Sequence, residues 1–259
     1  MYEFEFERPG TVADAVAALG AEDAQALGGG QTLIPTLKQR LASPSTLVSL
    51  GGIPEMKGIS LNGRTLVIGG ATTHAEVAAD GSIPALSALA GNIGDPAVRN
   101  RGTIGGSLAN NDPAACYPAA ALAMNATIVT NAREIAADDY FDGMFGTALN
   151  EGEIITAVKV EQPEAASYQK FEQPASRFAL VGVCVAKTAD GVRVAVTGAG
   201  DDGVFRWAEA EAALSANFAA SALDGMTPSA DGMMSDLHGS AEYRAHLVGV
   251  MARRSVDAC

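Results

Sequence analysis

Residues Ile93 to Pro118 read IGDPAVRNRGTIGGSLANNDPAACYP, and the rest of the chain is organised around them. The stretch has neither the 3.6-residue period of a helix nor the alternation of a strand. Glycines, two Asp-Pro steps, two arginines and three asparagines stand between two apolar segments. Such a composition makes either a solvated turn or a backbone shaped around a ligand. Thr103-Ile104-Gly105-Gly106-Ser107 favours the ligand. Paired glycines let the main chain approach an anion without Cβ interference and tolerate positive φ. Successive N–H groups in such a turn form an anion-binding nest. The Thr103 and Ser107 hydroxyls add donors, and Asp112 can accept from a sugar hydroxyl. Phosphate, ribose and a flat ring are what a dinucleotide offers.

A second glycine stretch lies upstream. Ala24 to Leu27 predicts a short buried strand, followed by Gly28-Gly29-Gly30-Gln31-Thr32 and a helix-like segment from Leu33 to Leu41. A strand, glycine turn and helix place free N–H groups and a partial positive charge where a phosphate sits well. Thr32 is positioned to cap the helix. Lys38 and Arg40 fall beyond its first turn, where they are solvated. The run is neither a P-loop, since no Gly-Lys-Ser/Thr follows, nor GxGxxG. A ligand-free turn reads equally well here.

The chain opens with Tyr2, Phe4 and Phe6 alternating with glutamates, the pattern of a half-buried strand. Thr11 caps a helix running to about Leu19. Thr46 to Leu50 is another strand, and Asn62-Gly63 marks a hairpin between Ile59–Leu61 and Thr65–Ile68. Gly69-Gly70-Ala71-Thr72-Thr73 is a third small-residue turn. Thr73-His74-Ala75-Glu76 is a capping box, which places His74 in a surface first turn. Pro84–Ala90 and Pro118–Met124 read as helices, and Ala126–Val129 and Ile154–Val160 as strands. From Ser167 three consecutive strand-like runs predict an antiparallel meander, with helices over Trp207–Phe218 and Ala241–Arg253. Gly225 to Gly239 reads as an exposed loop. Gly198 to Gly203 fits GxGxxG, but Asp201 and Asp202 would face a pyrophosphate and no apolar strand follows the helix, so it reads as a hairpin turn.

A net charge of -13 over 259 residues argues against nucleic acid and anionic membranes. Three cysteines without CxxC suggest a reducing, cytoplasmic setting and no cluster or zinc site. Three scattered histidines make a His-based metal site improbable. The acidic, alternating first residues lack the basic start of a signal peptide. The longest apolar run, Ala114 to Val129, is broken by Pro118 and Asn125 and is too short to span a bilayer.

Taken together, the two glycine loops resemble those of the FAD-binding medium subunits of molybdenum hydroxylases, the family of carbon monoxide dehydrogenase and xanthine dehydrogenase. Gly28 to Pro35 looks like the family's first flavin motif, with Gly28 where Ala is common and Gln31 where His is frequent. Arg99 to Ala109 looks like the second and is the more specific, and Asp112-Pro113-Ala114-Ala115 continues it. Gln173 to Ala179 and Tyr243-Arg244 resemble the third domain. The resemblance implies an α+β protein. Two α/β-type subdomains, 1–57 and 58–165, form a flavin-binding unit of the p-cresol methylhydroxylase (PCMH)/vanillyl-alcohol-oxidase type. A C-terminal antiparallel sheet with helices covers 166–259. It implies FAD on this chain, with the pyrophosphate on Gly28, Gly29, Gly30, Gln31, Thr32 and Leu33 and on Thr103, Ile104, Gly105, Gly106 and Ser107. Ala71 and Thr72 of the third turn join the set. Asp112 is placed near the adenosine half, and Lys170, or Glu172 after a short alignment shift, near the ring.

The family also implies an electron-transfer role. A large subunit would carry molybdopterin, a small one [2Fe-2S] clusters, and the assembly would be a dimer of heterotrimers, without nucleic acid or a membrane span. Two rivals stand beside that reading. One is a self-contained flavin oxidoreductase on the same fold, and the other a flavin-free scaffold subunit. Flavin spectra and turnover without partners separate the three.

Overall fold

The computed structural model describes all 259 residues. Its strands fall into three sheets, each with its own core and helices, and the glycine loops lie where the three meet.

The first unit holds β1 (Glu5–Glu7), α1 (Val12–Leu19), β2 (Ala24–Leu27), α2 (Leu33–Lys38) and β3 (Thr46–Ser49). Its three-stranded sheet is parallel, in the order β1-β3-β2. Only β3 lies between two neighbours, and only β3 is largely buried. The half-buried opening strand predicted from Tyr2 is instead a three-residue exposed edge, with Phe6 43% exposed. Likewise β2 is an edge, not the buried strand expected. Thr11 caps α1 as predicted, accepting from the Asp14 N–H. Thr32 caps nothing with its side chain, and α2 stops at Lys38 rather than Leu41.

The second unit comprises β4 (Ile59–Asn62), β5 (Thr65–Gly69), α3 (His74–Asp80), α4 (Pro84–Gly91), α5 (Pro96–Arg99), α6 (Ile104–Asn110), α7 (Cys116–Ala123), β6 (Thr127–Thr130), β7 (Glu134–Ala136) and β8 (Ile155–Glu161). The sheet order is β4-β5-β8-β6-β7, antiparallel throughout. The Asn62-Gly63 hairpin forms, with Gly63 at φ +66. The opening stretch, which carries no helical period, contains α5, α6 and the start of α7. Caps delimit these helices where periodicity does not. Asp95 accepts from the Val98 N–H with Pro96 at N1, and Thr103 accepts from the Gly106 N–H.

The third unit is a meander, β9 (Ala165–Glu172), β10 (Ala179–Thr188), β11 (Gly191–Gly200) and β12 (Gly203–Arg206), followed by α8 (Ala208–Ala216) and α9 (Ala241–Asp257). Gly200 pairs with Gly203, so the GxGxxG run is a hairpin turn as read. The uninterrupted apolar run of β10 has a physical cause, because the strand is covered on both faces. Val181, Val183 and Val185 enter the core under α8 and α9, while Cys184 and Ala186 join the core around α7. Helix α7 is therefore buried at all eight positions, between the second and third sheets. Its alanines permit the close approach. Its N-terminus opens at the junction of the units.

Candidate functional site

A cleft of about 440 Å³ opens at that junction, within the range of ligand sites. One wall is the first glycine loop, Gly28 to Leu33. The opposite wall is the second loop with Gly70, Ala71 and His74, continuing through Ser107, Asp112 and Cys116. The third unit adds Lys170, Ser176, Arg177 and Phe178. All three units thus contribute, as a cofactor buried between domains requires.

The two loops press on each other. A Cβ on Gly29 would lie 2.6 Å from the Gly102 Cα and would overlap the Arg101 carbonyl, so no side chain fits there. A Cβ on Gly105 would lie 2.6 Å from the Gly70 carbonyl oxygen, and the Gly105 N–H donates to that same oxygen at 2.9 Å. Gly105 is therefore a packing position between the second and third glycine turns. The second loop is not the open nest read from its sequence, because the protein itself accepts from Ile104, Gly105 and Gly106.

The open donors lie in the first loop. The backbone amides of Gly28, Gly29, Gly30, Gln31 and Thr32 donate to no group of the chain. Gly30 has φ +72, a conformation open mainly to glycine, and the Gln31 side chain donates back to the Gly29 carbonyl at 3.3 Å. Such a run of unpaired N–H groups in residues that line a cleft is the donor set an anion needs.

Asp112 lines the cleft; one carboxylate oxygen accepts from the Ala114 N–H at 2.8 Å, and the other makes no hydrogen bond. The Lys170 side chain is 1% exposed, and its ammonium donates to the Asn92 and Arg177 carbonyls, each at 2.7 Å. Glu172, the alternative, is the outer partner at 4.0 Å and 46% exposed. Arg177 donates to the Gly94 carbonyl at 3.3 Å, and Arg99 to the Ile93 and Gly94 carbonyls at 3.1 and 2.8 Å. Three cations thus clamp one turn, and two of them tie the third unit to the second beside the cleft.

Thr72 and Ile104 do not reach the cleft. Thr72 is fully buried and its hydroxyl donates to the Gly58 carbonyl; Ile104 is a core residue. His74 is a correction in the other direction. The capping box forms, yet the imidazole is 5% exposed and lines the cleft, because the Thr73–Thr103 bridge folds the second loop over it. Burial, aided by the Arg99 guanidinium, lowers its pKa to about 4, so it is neutral at pH 7. Arg177 and Phe178 were visible in the sequence only through the resemblance of their segment to the third domain. For His74 no local signal exists, since the cap fixes its place on the helix but not what covers it.

Fold and cleft define an anion-binding protein whose cleft is shared by three units and lined by a run of unpaired backbone amides. The chain belongs to the family of the FAD binding domain in molybdopterin dehydrogenase, which matches residues 2–163, followed by the CO dehydrogenase flavoprotein C-terminal domain over 166–258. It is 36% identical to the carbon monoxide dehydrogenase medium chain of Afipia carboxidovorans, over 98% of this chain and 96% of that one. It is 35% identical to the nicotine 6-hydroxylase medium subunit of Paenarthrobacter nicotinovorans, over 97% and 95%. Among solved structures, the reconstituted CO dehydrogenase from Oligotropha carboxidovorans superposes with a TM-score of 0.89 at 32% identity, covering 99% of this chain and 97% of that one. Quinoline 2-oxidoreductase from Pseudomonas putida 86 gives 0.87 at 27%, with the same coverage. The chain is thus an FAD-binding subunit related to the medium chains of molybdenum oxidoreductases. The residues fit that cofactor: the unpaired amides of the first loop match a pyrophosphate's acceptor oxygens.

Proposed function

We propose that this chain is the electron-relay subunit of a molybdenum hydroxylase. The open amide run from Gly28 to Thr32 carries the reading. These N–H groups hold the FAD pyrophosphate, with Leu33 closing the loop beneath. Thr103 caps α6 and, with Gly105 and Gly106, fixes the opposite wall; Ile104 and Thr72 anchor that wall from the core, and Ala71 lines it. Ser107 and Asp112 receive the adenosine half, the free carboxylate oxygen of Asp112 accepting from a ribose hydroxyl. Lys170 and Arg177 hold the third domain against the second, and with Phe178 they cover the ring end and limit water there.

Bound in this cleft, FAD supplies the redox chemistry, taking electrons from [2Fe-2S] clusters of a small partner subunit and passing them to an external acceptor. The substrate is oxidised on a large molybdopterin subunit, and the assembly is a dimer of heterotrimers in the cytoplasm. Two observations support this division. No group of three or more His, Cys, Asp or Glu side chains in the chain is arranged to hold a metal ion. The structural relatives include a Cu,Mo-CO dehydrogenase and a carbon monoxide dehydrogenase that lacks the Mo-pyranopterin moiety of its molybdenum cofactor. Purification of the native complex through a tag on this chain tests the reading. FAD, molybdenum and iron in fixed ratio are expected. Turnover of an organic substrate by the flavin-loaded chain alone would contradict it.

A further inference from the structure

We propose that His74 is a further cofactor-binding residue, presenting an Nε2–H to an acceptor oxygen of FAD at the seam of the two glycine loops, with Tyr117 as the positioning residue that fixes its tautomer. The inference rests on the FAD reading above and adds a donor to it.

The geometry is as follows. His74 is the first residue of α3, and its N–H donates to the Gly102 carbonyl at 2.9 Å. The ring edge packs against the second loop: a Cβ on Gly102 would sit 2.5 Å from Nε2 and 2.8 Å from Cδ2. A Cβ on Gly29 would strike Arg101 and Gly102, so Nε2 stands where both loops converge on the cleft. The imidazole's other nitrogen, Nδ1, is sealed from solvent and has no hydrogen-bond partner. Directly beside it, with ring centroids 5.3 Å apart, is Tyr117, whose hydroxyl is likewise buried and unpartnered. Two orphaned buried polar atoms on adjacent rings are costly apart and complementary together. A neutral Nδ1 accepts and a phenol donates. When Tyr117 donates to Nδ1, the imidazole's one proton stands on Nε2, facing the cleft.

Pyrophosphate and flavin carbonyl oxygens are acceptors only, so an N–H is the group they require. The ring stays neutral at pH 7, for the burial and the Arg99 charge already described, and its place at a helix N-terminus acts in the same direction. The donor is thus fixed without adding a buried charge.

The test uses the full chain and FAD itself, titrated by flavin fluorescence. A hydrogen bond to a charged acceptor implies about ten- to hundredfold weaker binding for H74F. H74Q places an amide N–H near the position of Nε2 and keeps affinity within a few-fold of the parent. Circular dichroism confirms that both variants fold. With only three histidines in the chain, long-range proton–nitrogen NMR resolves His74, and the loaded parent shows the Nε2–H tautomer. Y117F shifts His74 to a mixture of tautomers and weakens FAD less than H74F does. Parent-like FAD binding by H74F, equal losses in H74Q and H74F, or an Nδ1–H tautomer in the loaded parent overturns the proposal while leaving the cofactor assignment intact. A parent chain that takes up no FAD refutes that assignment and this proposal together.

Discussion

Replacing Gly29 by alanine tests the seam on which the cleft depends. The added Cβ would lie 2.6 Å from the Gly102 Cα and 2.5 Å from the Arg101 carbonyl carbon, with that carbonyl's oxygen nearer still. Ordinary carbon–carbon contact begins near 3.5 Å, so the loops must part by roughly 1 Å. Neither neighbour is a flexible side-chain end, and both belong to a backbone pinned by the Gly102–Val98 and His74–Gly102 hydrogen bonds. Overpacking against such a site costs about 1–3 kcal/mol. The displaced segment is the one that carries the free amides, so the distortion falls on the cradle, and FAD binding should weaken about ten- to hundredfold. Gly51→Ala is the control, because nothing stands within 4 Å of its Cβ. Urea midpoints and flavin fluorescence titrations on the parent and both variants measure the two effects separately. If Gly29→Ala unfolds at the parent's midpoint and binds FAD with the parent's affinity, the reasoning about the seam is wrong.

Lys170→Met removes two charge-assisted bonds, one to the Asn92 carbonyl that ties the third domain to the second and one to the Arg177 carbonyl within the third, and should lower stability by about 2–4 kcal/mol and weaken FAD retention; urea unfolding and flavin content after gel filtration check this. The apo chain should lose stability as pH falls from about 6.5 toward 4. The His74 pKa is lowered to about 4 in the folded chain, so above 6.5 its contribution is fully present, and below it the unfolded chain takes up a proton that the folded one refuses. The loss approaches about 3 kcal/mol, and His74→Phe should abolish that limb of the urea midpoint against pH. FAD should be held without a covalent bond: of the two cleft residues able to link to a flavin, Cys116 has its thiol pKa raised by burial and His74 is only 5% exposed; acid precipitation should leave the flavin in the supernatant, and flavin in the pellet would show otherwise.

Much of the architecture was legible because local rules carried it. The Thr11 cap, the Asn62-Gly63 hairpin and the antiparallel meander after Ser167 all announce themselves through spacing, turn chemistry or consecutive strand-like runs. The misreadings share a cause in tertiary placement. Alternation at Tyr2 to Glu7 marks a strand, but only sheet order reveals that it is an exposed edge. The glycines of the second loop look like a ligand nest, yet Gly105 serves contact with Gly70, and the unpaired donors lie in the first loop. His74 sits where its capping box puts it, but a loop some 30 residues on buries it, and nothing near it in sequence encodes that cover.

The most direct measurement is anaerobic stopped-flow absorbance of the flavin in this chain, mixed with candidate substrates in the presence and absence of the molybdenum and iron–sulfur subunits. The account predicts that the flavin bleaches on the timescale of turnover only when both partners are present. Rapid bleaching of the isolated chain by an alcohol, aldehyde or purine would contradict it and assign the oxidation to this chain alone.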